Sequence, residues 1–281
     1  MKLFIKLLCF SIIFCFSASR INALVQEKVT DQAHGLFSYS TFFDYPPFGY
    51  LNANNKLVTI YRPFLKAFSG KRGLPIKQSV PSSYDNAILQ VVSGETNLLL
   101  GVYFSTERYR GIQLLYPSIV NNPIVPVTLP SSDINIQTKE DLKNLKGAID
   151  KREHFSDYVA RELQKLNVQE FDNSEKLYEQ LFIGNVDYIL TSRYYGALEQ
   201  AKLGLRDMVQ MSKTAIWDMP LFIGVSDAIT NNAHKRLVKR IQKLLKEQGE
   251  ELKESINQLL IEKIRQADEA ARGVVPPSFV K

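Results

Sequence analysis

From Leu36 onward, short apolar runs alternate with stretches in which apolar residues recur at helical spacing. The pattern predicts strands at Leu36 to Thr41, Ile76 to Val80, Asn97 to Val102, Val125 to Leu129, Gly147 to Asp150, Val168 to Phe171, Asp187 to Ser192, and Leu221 to Ser226. Between them, a helix starts at Ser82 or Ser83 as N-cap, buries Ile88, Leu89 and Val92, and stops at Gly94. A second opens at Thr138 with Glu140 and Asp141 in its first turn, where the helix dipole favours negative charge. A third follows His154-Phe155-Ser156 and turns Val159, Leu163 and Leu166 to one side, and a fourth runs from Asn173 or Ser174 to Gly184. Ala233 to Ala271 reads as two amphipathic helices broken near Gly249, and Arg272 to Lys281 as a loose tail. Strands and helices in alternation predict mainly parallel sheets flanked by helices, an α/β architecture.

One run stands out within this pattern. Thr96 to Arg108 carries an apolar strand that ends near Gly101 and is followed by Ser105, Thr106 and Arg108. Strands buried on both faces read as continuous Leu/Val runs, and in open α/β sheets ligands sit just beyond their carboxyl ends. Arg108 is therefore a candidate to fork onto a carboxylate, with a surface ion pair as the plainer alternative.

The first residues predict an exported protein. Lys2 and Lys6 form a basic n-region, Leu7 to Phe16 an apolar core, and Ile21-Asn22-Ala23 a cleavage site, which makes residues 1–23 a signal peptide and the expected location the periplasm. Both cysteines, Cys9 and Cys15, lie in that segment, so the remaining chain of about 258 residues is expected to fold without disulfides. The formal charge of +6 includes Lys2, Lys6 and Arg20, and falls to +3 without them. That charge is interspersed, which argues against nucleic acid as a partner. The basic cluster from Lys235 to Lys246 is the solvated side of an amphipathic helix, or else a contact for anionic lipid or protein.

Four segments taken together give the chain a resemblance. They are Tyr45-Pro-Pro-Phe48 with Asn55-Lys-Leu-Val58; Ser83 to Gly94; Gly101 to Arg108 with Tyr116-Pro-Ser118; and Thr138 to Gly147 with Gly184 to Thr191. Their order and spacing resemble family 3 of the bacterial extracellular solute-binding proteins, the substrate-binding type of polar amino acid ABC transporters. The resemblance implies a two-lobe periplasmic-binding-protein-like fold with two crossing hinge strands, closing on ligand by hinge motion. It places lobe one at 36–123 plus 226–260, lobe two at 130–218, the hinge strands at 124–129 and 219–225, and a C-terminal extension at 261–281.

Carried over by position, the resemblance gives Arg108 the ligand carboxylate, Tyr45 and Tyr84 the aromatic walls, and Gly101 a backbone acceptor for an ammonium group. Core or rim packing is the plainer role for both tyrosines. Three positions depart from the family pattern. Tyr103 stands where a small hydroxyl residue is usual, and Arg152-Glu153-His154 replaces a turn that offers backbone amides to the carboxylate. Ser192 stands where an aspartate pairs with the ligand's α-ammonium, and a serine cannot neutralise a buried charge. With Arg152 and Arg193 near the same cleft, these changes point to a small anionic or zwitterionic metabolite, an organic acid or an acidic amino acid.

The expected function is capture of such a ligand between the lobes by a monomer, and its delivery to an inner-membrane ABC permease, without catalysis. No cofactor and no metal are expected, since the three histidines, His34, His154 and His234, are scattered and no HExxH, GxSxG or phosphate-binding glycine loop is present. Two alternatives remain. One is a ligand-sensing accessory protein with no transport role. The other is a dehydratase-like enzyme on the same fold, for which Glu153 with His154 is the candidate acid-base pair.

Overall fold

A computed structural model describes residues 37–70, 75–105 and 110–280. The signal segment and Arg108 lie outside the described residues. Two five-stranded sheets carry the fold. In spatial order the first runs Ile76–Gln78, Phe37–Thr41, Leu98–Tyr103, Pro220–Ser226 and Ile112–Asn121. The second runs Asn167–Phe171, Lys146–Asp150, Tyr188–Ser192, Ile124–Thr128 and Gln210–Met211. A small sheet of Asp44–Tyr45, Gly49–Leu51 and Leu57–Thr59 stands beside the first.

The two large sheets are built alike. In each, the first three strands are parallel and the fourth opposes both its neighbours, Pro220–Ser226 in one and Ile124–Thr128 in the other. Each opposing strand is the one that enters its sheet directly from the other sheet. The chain leaves the first sheet after Asn121 and returns before Pro220, and the two crossings are laced together. The Asn122 amide donates to the Met219 carbonyl at 2.9 Å and the Ile124 amide to the Trp217 carbonyl at 2.8 Å.

Local chemistry fixes the elements that frame the cleft. Leu98, Leu99 and Leu100 are fully buried, as a strand covered on both faces requires. The helix Tyr84–Val92 is capped by Ser83, whose hydroxyl accepts from the Asn86 amide at 3.1 Å, and beyond it Gly94 turns with φ +78°. Ser156 caps the helix Asp157–Leu163 and Asn173 the helix Ser174–Phe182. Thr138 and Asp141 form a capping box, though the helix they start is a single 3-10 turn, Lys139–Leu142.

Several elements differ from the sequence-based expectation or were not anticipated by it. The strand Ile112–Asn121 is absent from the expected strands; it contains Pro117, and it lies at the sheet edge where a missing amide is tolerated. Two helices also emerge, Arg62–Ser69 with Phe64 and Phe68 buried, and Arg193–Lys202 capped by Ser192.

The expected break at Gly249 does not occur: Asn232–Ala270 is one helix of 39 residues. A glycine inside a helix costs about 1 kcal/mol relative to alanine. Here it is buried, and a Cβ at Gly249 would stand 3.3 Å from Pro117 Cγ, so the bare backbone lets the helix lie close against that edge strand.

The expected loose tail is instead docked. The long helix packs on the first sheet through Leu237, Ile241, Leu252 and Ile256 and ends beside the helix Arg193–Lys202 of the second. There Arg206 donates to Asp268 at 2.6 Å, and Phe279 packs on Phe182 with ring centres 5.7 Å apart. The apolar residues Phe279 and Val280 supply the affinity that a polar tail would lack.

Candidate functional site

A cavity of about 360 Å³ lies between the two sheets. One side is built by the chain that follows the first strand, Thr41 to Tyr45 and Phe48, and by Tyr61, which precedes the helix Arg62–Ser69. Ser82, Ser83 and Tyr84 come from the start of a second helix, and Gly101 and Tyr103 from the central strand Leu98–Tyr103. Lys151, Arg152 and His154 close it from the second sheet, and Leu221 from the returning strand.

Gly101 is needed where it stands. Its φ is +83°, and a Cβ there would lie 2.1 Å from the Tyr61 hydroxyl oxygen. Neither the backbone angle nor the space admits a larger residue, and the room left by the missing side chain is filled by the Tyr61 ring from the same side of the cavity.

Behind the cavity a closed ring of hydrogen bonds joins the lobes. Asn122, fully buried at the first crossing, donates from Nδ2 to the Tyr103 hydroxyl at 2.6 Å and to the Tyr45 hydroxyl at 3.2 Å. Its Oδ1 accepts from the Ser192 hydroxyl. The Ser192 amide donates to Glu153 Oε2 at 2.7 Å, and the Tyr45 hydroxyl donates to that same oxygen at 3.3 Å. Glu153 Oε1 is buried without a hydrogen-bond partner, while the nearby Thr191 hydroxyl is turned to the Ser192 carbonyl at 3.4 Å. Burial pushes the Glu153 pKa up to about 8 despite these donors, with Asp150 adding to the rise. Burial also raises the Tyr45 and Tyr103 hydroxyls, and the Tyr45 hydroxyl stays protonated as the donor to Glu153.

A second cluster orients Arg152. Its Nε donates to Asp150 Oδ1 at 3.0 Å and its Nη2 to Oδ2 at 2.6 Å and to the Ser174 hydroxyl at 2.9 Å. Burial alone would raise Asp150, but the hydrogen bonds from Arg152 overcome it and hold the carboxyl below its ordinary value. The Tyr195 hydroxyl adds a further donor at 3.2 Å.

Two aromatic stacks cross the cleft. Tyr84 lies between Phe42, at 4.2 Å, and His154, at 4.0 Å, so both its faces are covered. Tyr45 lies between Phe48, at 5.4 Å, and Tyr195, at 5.5 Å. At the rim the Ser105 hydroxyl donates to both carboxylate oxygens of Asp157 at 2.8 Å, another link between the two sides.

Of the residues expected from sequence, Tyr45, Tyr84, Gly101, Tyr103 and Arg152 come together on the cavity wall. Ser192 lies behind it, capping the helix Arg193–Lys202 and holding Glu153. Arg193 is not on that wall: its Nη2 donates to the Lys213 carbonyl at 2.8 Å. Asn122 and Tyr61 were not anticipated. Asn122 sits in an Asn-Asn-Pro sequence that reads as a surface turn, and Tyr61 precedes a helix the pattern did not announce. Among the described residues no cluster of three or more His, Cys, Asp or Glu side chains is arranged to hold a metal ion.

No family model matches the chain. The L-cystine-binding protein TcyJ of Escherichia coli K12 is 22% identical over 150 residues, which span 53% of this chain and 56% of that protein. The same protein from Escherichia coli O6:H1 matches equally, so the chain spans about half the length of the curated relatives it matches.

Several solved structures superpose over most of the described chain. The P235GK mutant of ArgBP from T. maritima has a TM-score of 0.57 at 19% identity, covering 85% of this chain and 99% of that one. The ligand-binding core of GluR0 in complex with L-glutamate has a TM-score of 0.61 at 15% identity, covering 80% and 98%. An ancestral amino acid-binding protein, AncCDT-1, a precursor of cyclohexadienyl dehydratase, has a TM-score of 0.57 at 19% identity, covering 84% and 98%. Together with the paired sheets and their interleaved crossings, these likenesses show that the chain has the two-lobe α/β fold of periplasmic amino-acid-binding proteins.

Proposed function

We propose that this protein is an exported solute-binding protein that captures a small amino-acid-like or organic-acid ligand between its lobes and delivers it to an inner-membrane transporter. The observation that carries the reading is the cavity between the two sheets, walled from both sides and bridged by Tyr45 with Glu153 and by Ser105 with Asp157. Its volume of about 360 Å³ falls within the range of small-molecule sites. In this reading the lobes are 36–123 with 226–260 and 130–218, the strands at 124–129 and 219–225 act as the hinge, and Arg108 receives a ligand carboxylate. The likeness to L-cystine-binding and arginine-binding proteins supports a small polar metabolite as ligand.

Glu153 argues for binding over catalysis. A general acid must reach the group it protonates, and this carboxyl is held behind the cavity wall by Ser192 and Tyr45.

Thermal unfolding against a panel of amino acids, organic acids and short peptides tests the reading. A ligand present at 100 times its Kd stabilises by about 2.7 kcal/mol, a shift of several degrees in a protein of this size. Arg108→Ala is expected to remove any carboxylate-dependent shift. No shift with any compound, and no small molecule carried through purification by mass spectrometry, overturns capture.

A second reading, sensing without transport, is favoured by the C-terminal helix and tail, which tie one lobe to the other and offer a route for reporting closure. Binding of the closed form to a membrane permease supports transport, and binding to a sensor protein supports this alternative.

A further inference from the structure

We infer that the cleft takes a carboxylic acid bearing an aromatic or cycloalkyl ring and no amino group, a narrowing that rests on the solute-capture reading. Seven Phe and Tyr rings, from Phe42 to Tyr103, line the cavity, and Leu221 adds a further apolar surface. Such a wall rewards an apolar body of matching width, because apolar area leaves water on both partners.

The charges set the other end of the ligand. Among the described lining residues the acid is Asp44, which is exposed to solvent, while the bases Lys151 and Arg152 stand together on the opposite lobe. The buried acids nearby are committed elsewhere. Asp150 is clasped by Arg152, and Glu153 lies behind the wall against the Ser192 amide and Tyr45. A ligand ammonium closed into this cavity would lose water and gain no buried carboxylate in return. A carboxylate loses water too, but meets the Lys151 ammonium on one lobe, beside an Arg152 already held by Asp150, and faces Tyr61 on the other.

Aromatic walls also attract cations when they present their faces. Here the faces of Tyr84 are covered by Phe42 and His154, and those of Tyr45 by Phe48 and Tyr195. What these two rings leave to a ligand is their edges, which carry the positive part of the ring quadrupole and so favour a π face or an anion.

Calorimetric titration of the purified protein with phenylacetate, cyclohexanecarboxylate, phenylalanine and arginine tests this. The expected result is a Kd for the two acids at least tenfold lower than for phenylalanine, with no binding of arginine. Lys151→Gln, an exposed position, is expected to weaken phenylacetate at least threefold. Phenylalanine bound as tightly as phenylacetate, or arginine bound while the acids are not, overturns the ligand class and leaves capture standing. Silence from all four also overturns the ligand class, and capture falls with it only when the wider thermal panel is silent as well.

Discussion

The Tyr45 hydroxyl donates across the cleft to Glu153 Oε2 at 3.3 Å, joining a residue of the small sheet beside lobe one to a buried carboxyl of lobe two. This contact ties the geometry of the cavity wall to protonation. The Glu153 pKa is pushed by burial from an ordinary 4.5 to about 8, so the folded protein holds this proton more tightly than the unfolded chain does. Its contribution to stability is therefore full below pH 4.5 and is lost as pH rises through about 8. A tenfold difference in proton affinity is worth about 1.4 kcal/mol, which makes the total loss a few kcal/mol. Denaturant unfolding at pH 5, 7 and 9 is expected to show falling stability in the wild type. Glu153→Gln removes the ionisation and is expected to flatten that profile; an equally steep fall in the variant assigns the dependence to another group.

Much of the fold was legible because its strongest signals are local. Ser83 and Asn173, each one of two candidate helix starts, cap their helices, Ser156 caps the helix expected to follow it, and the run Leu98–Leu100 lies where a doubly covered strand belongs. What failed to show in sequence was set by tertiary contact. Gly249 breaks an isolated helix, yet the close approach of Pro117 makes its small size useful inside a continuous one. Pro117 lacks the amide that a central strand needs, and the edge position of its strand accommodates it. The wall was partly legible through Tyr45, Tyr84, Gly101, Tyr103 and Arg152, whereas Asn122 gave no periodic or motif signal because its role depends on two crossings meeting in space.

Gly101 supports a sharp prediction. Alanine at this position adds a Cβ 2.1 Å from the Tyr61 hydroxyl at a φ of +83°, so both packing and backbone oppose it. Overpacking costs about 1–3 kcal/mol and an incompatible positive φ adds about 1 kcal/mol. Gly101→Ala is expected to lower the unfolding midpoint by several degrees and to disturb ligand affinity through displacement of Tyr61. Gly184, with φ +75° and no atom within 4 Å of a would-be Cβ, isolates the backbone contribution. Gly184→Ala is expected to cost about 1 kcal/mol with ligand affinity unchanged. Equal losses for the two variants in an unfolding titration would remove the packing part of this account.

The docked C-terminus predicts two effects of different size. Phe279 contributes apolar packing against Phe182 in the lobe-two cluster, so Phe279→Ala is expected to cost about 1–3 kcal/mol, less than a fully buried ring. The Arg206 and Asp268 side chains are about a third exposed, and their pair is expected to contribute under about 1 kcal/mol. Urea unfolding of Phe279→Ala and Arg206→Ala checks the ranking. A larger loss at Arg206 would mean that the ion pair, and not the ring, holds the tail.

Asn122 ties Tyr45, Tyr103 and Ser192 together, and no single partner can replace it. Asn122→Ala strips the Ser192 hydroxyl of its acceptor and two tyrosine hydroxyls of their shared donor, all at a crossing buried from water. Unsatisfied buried groups cost about 1–3 kcal/mol each, so the variant is expected to be among the least stable single substitutions here. Asn122→Asp keeps the shape and the acceptor but places a second carboxyl in the ring that holds Glu153. Two carboxyls sharing one buried site resist double ionisation, and the Asn122→Asp variant is therefore expected to approach wild-type stability at pH 5 and to lose it steeply toward pH 8. Unfolding of both variants at the two pH values checks this. An alanine variant that is stable, or an aspartate variant with no added pH dependence, would show that the two lobes are joined by other contacts.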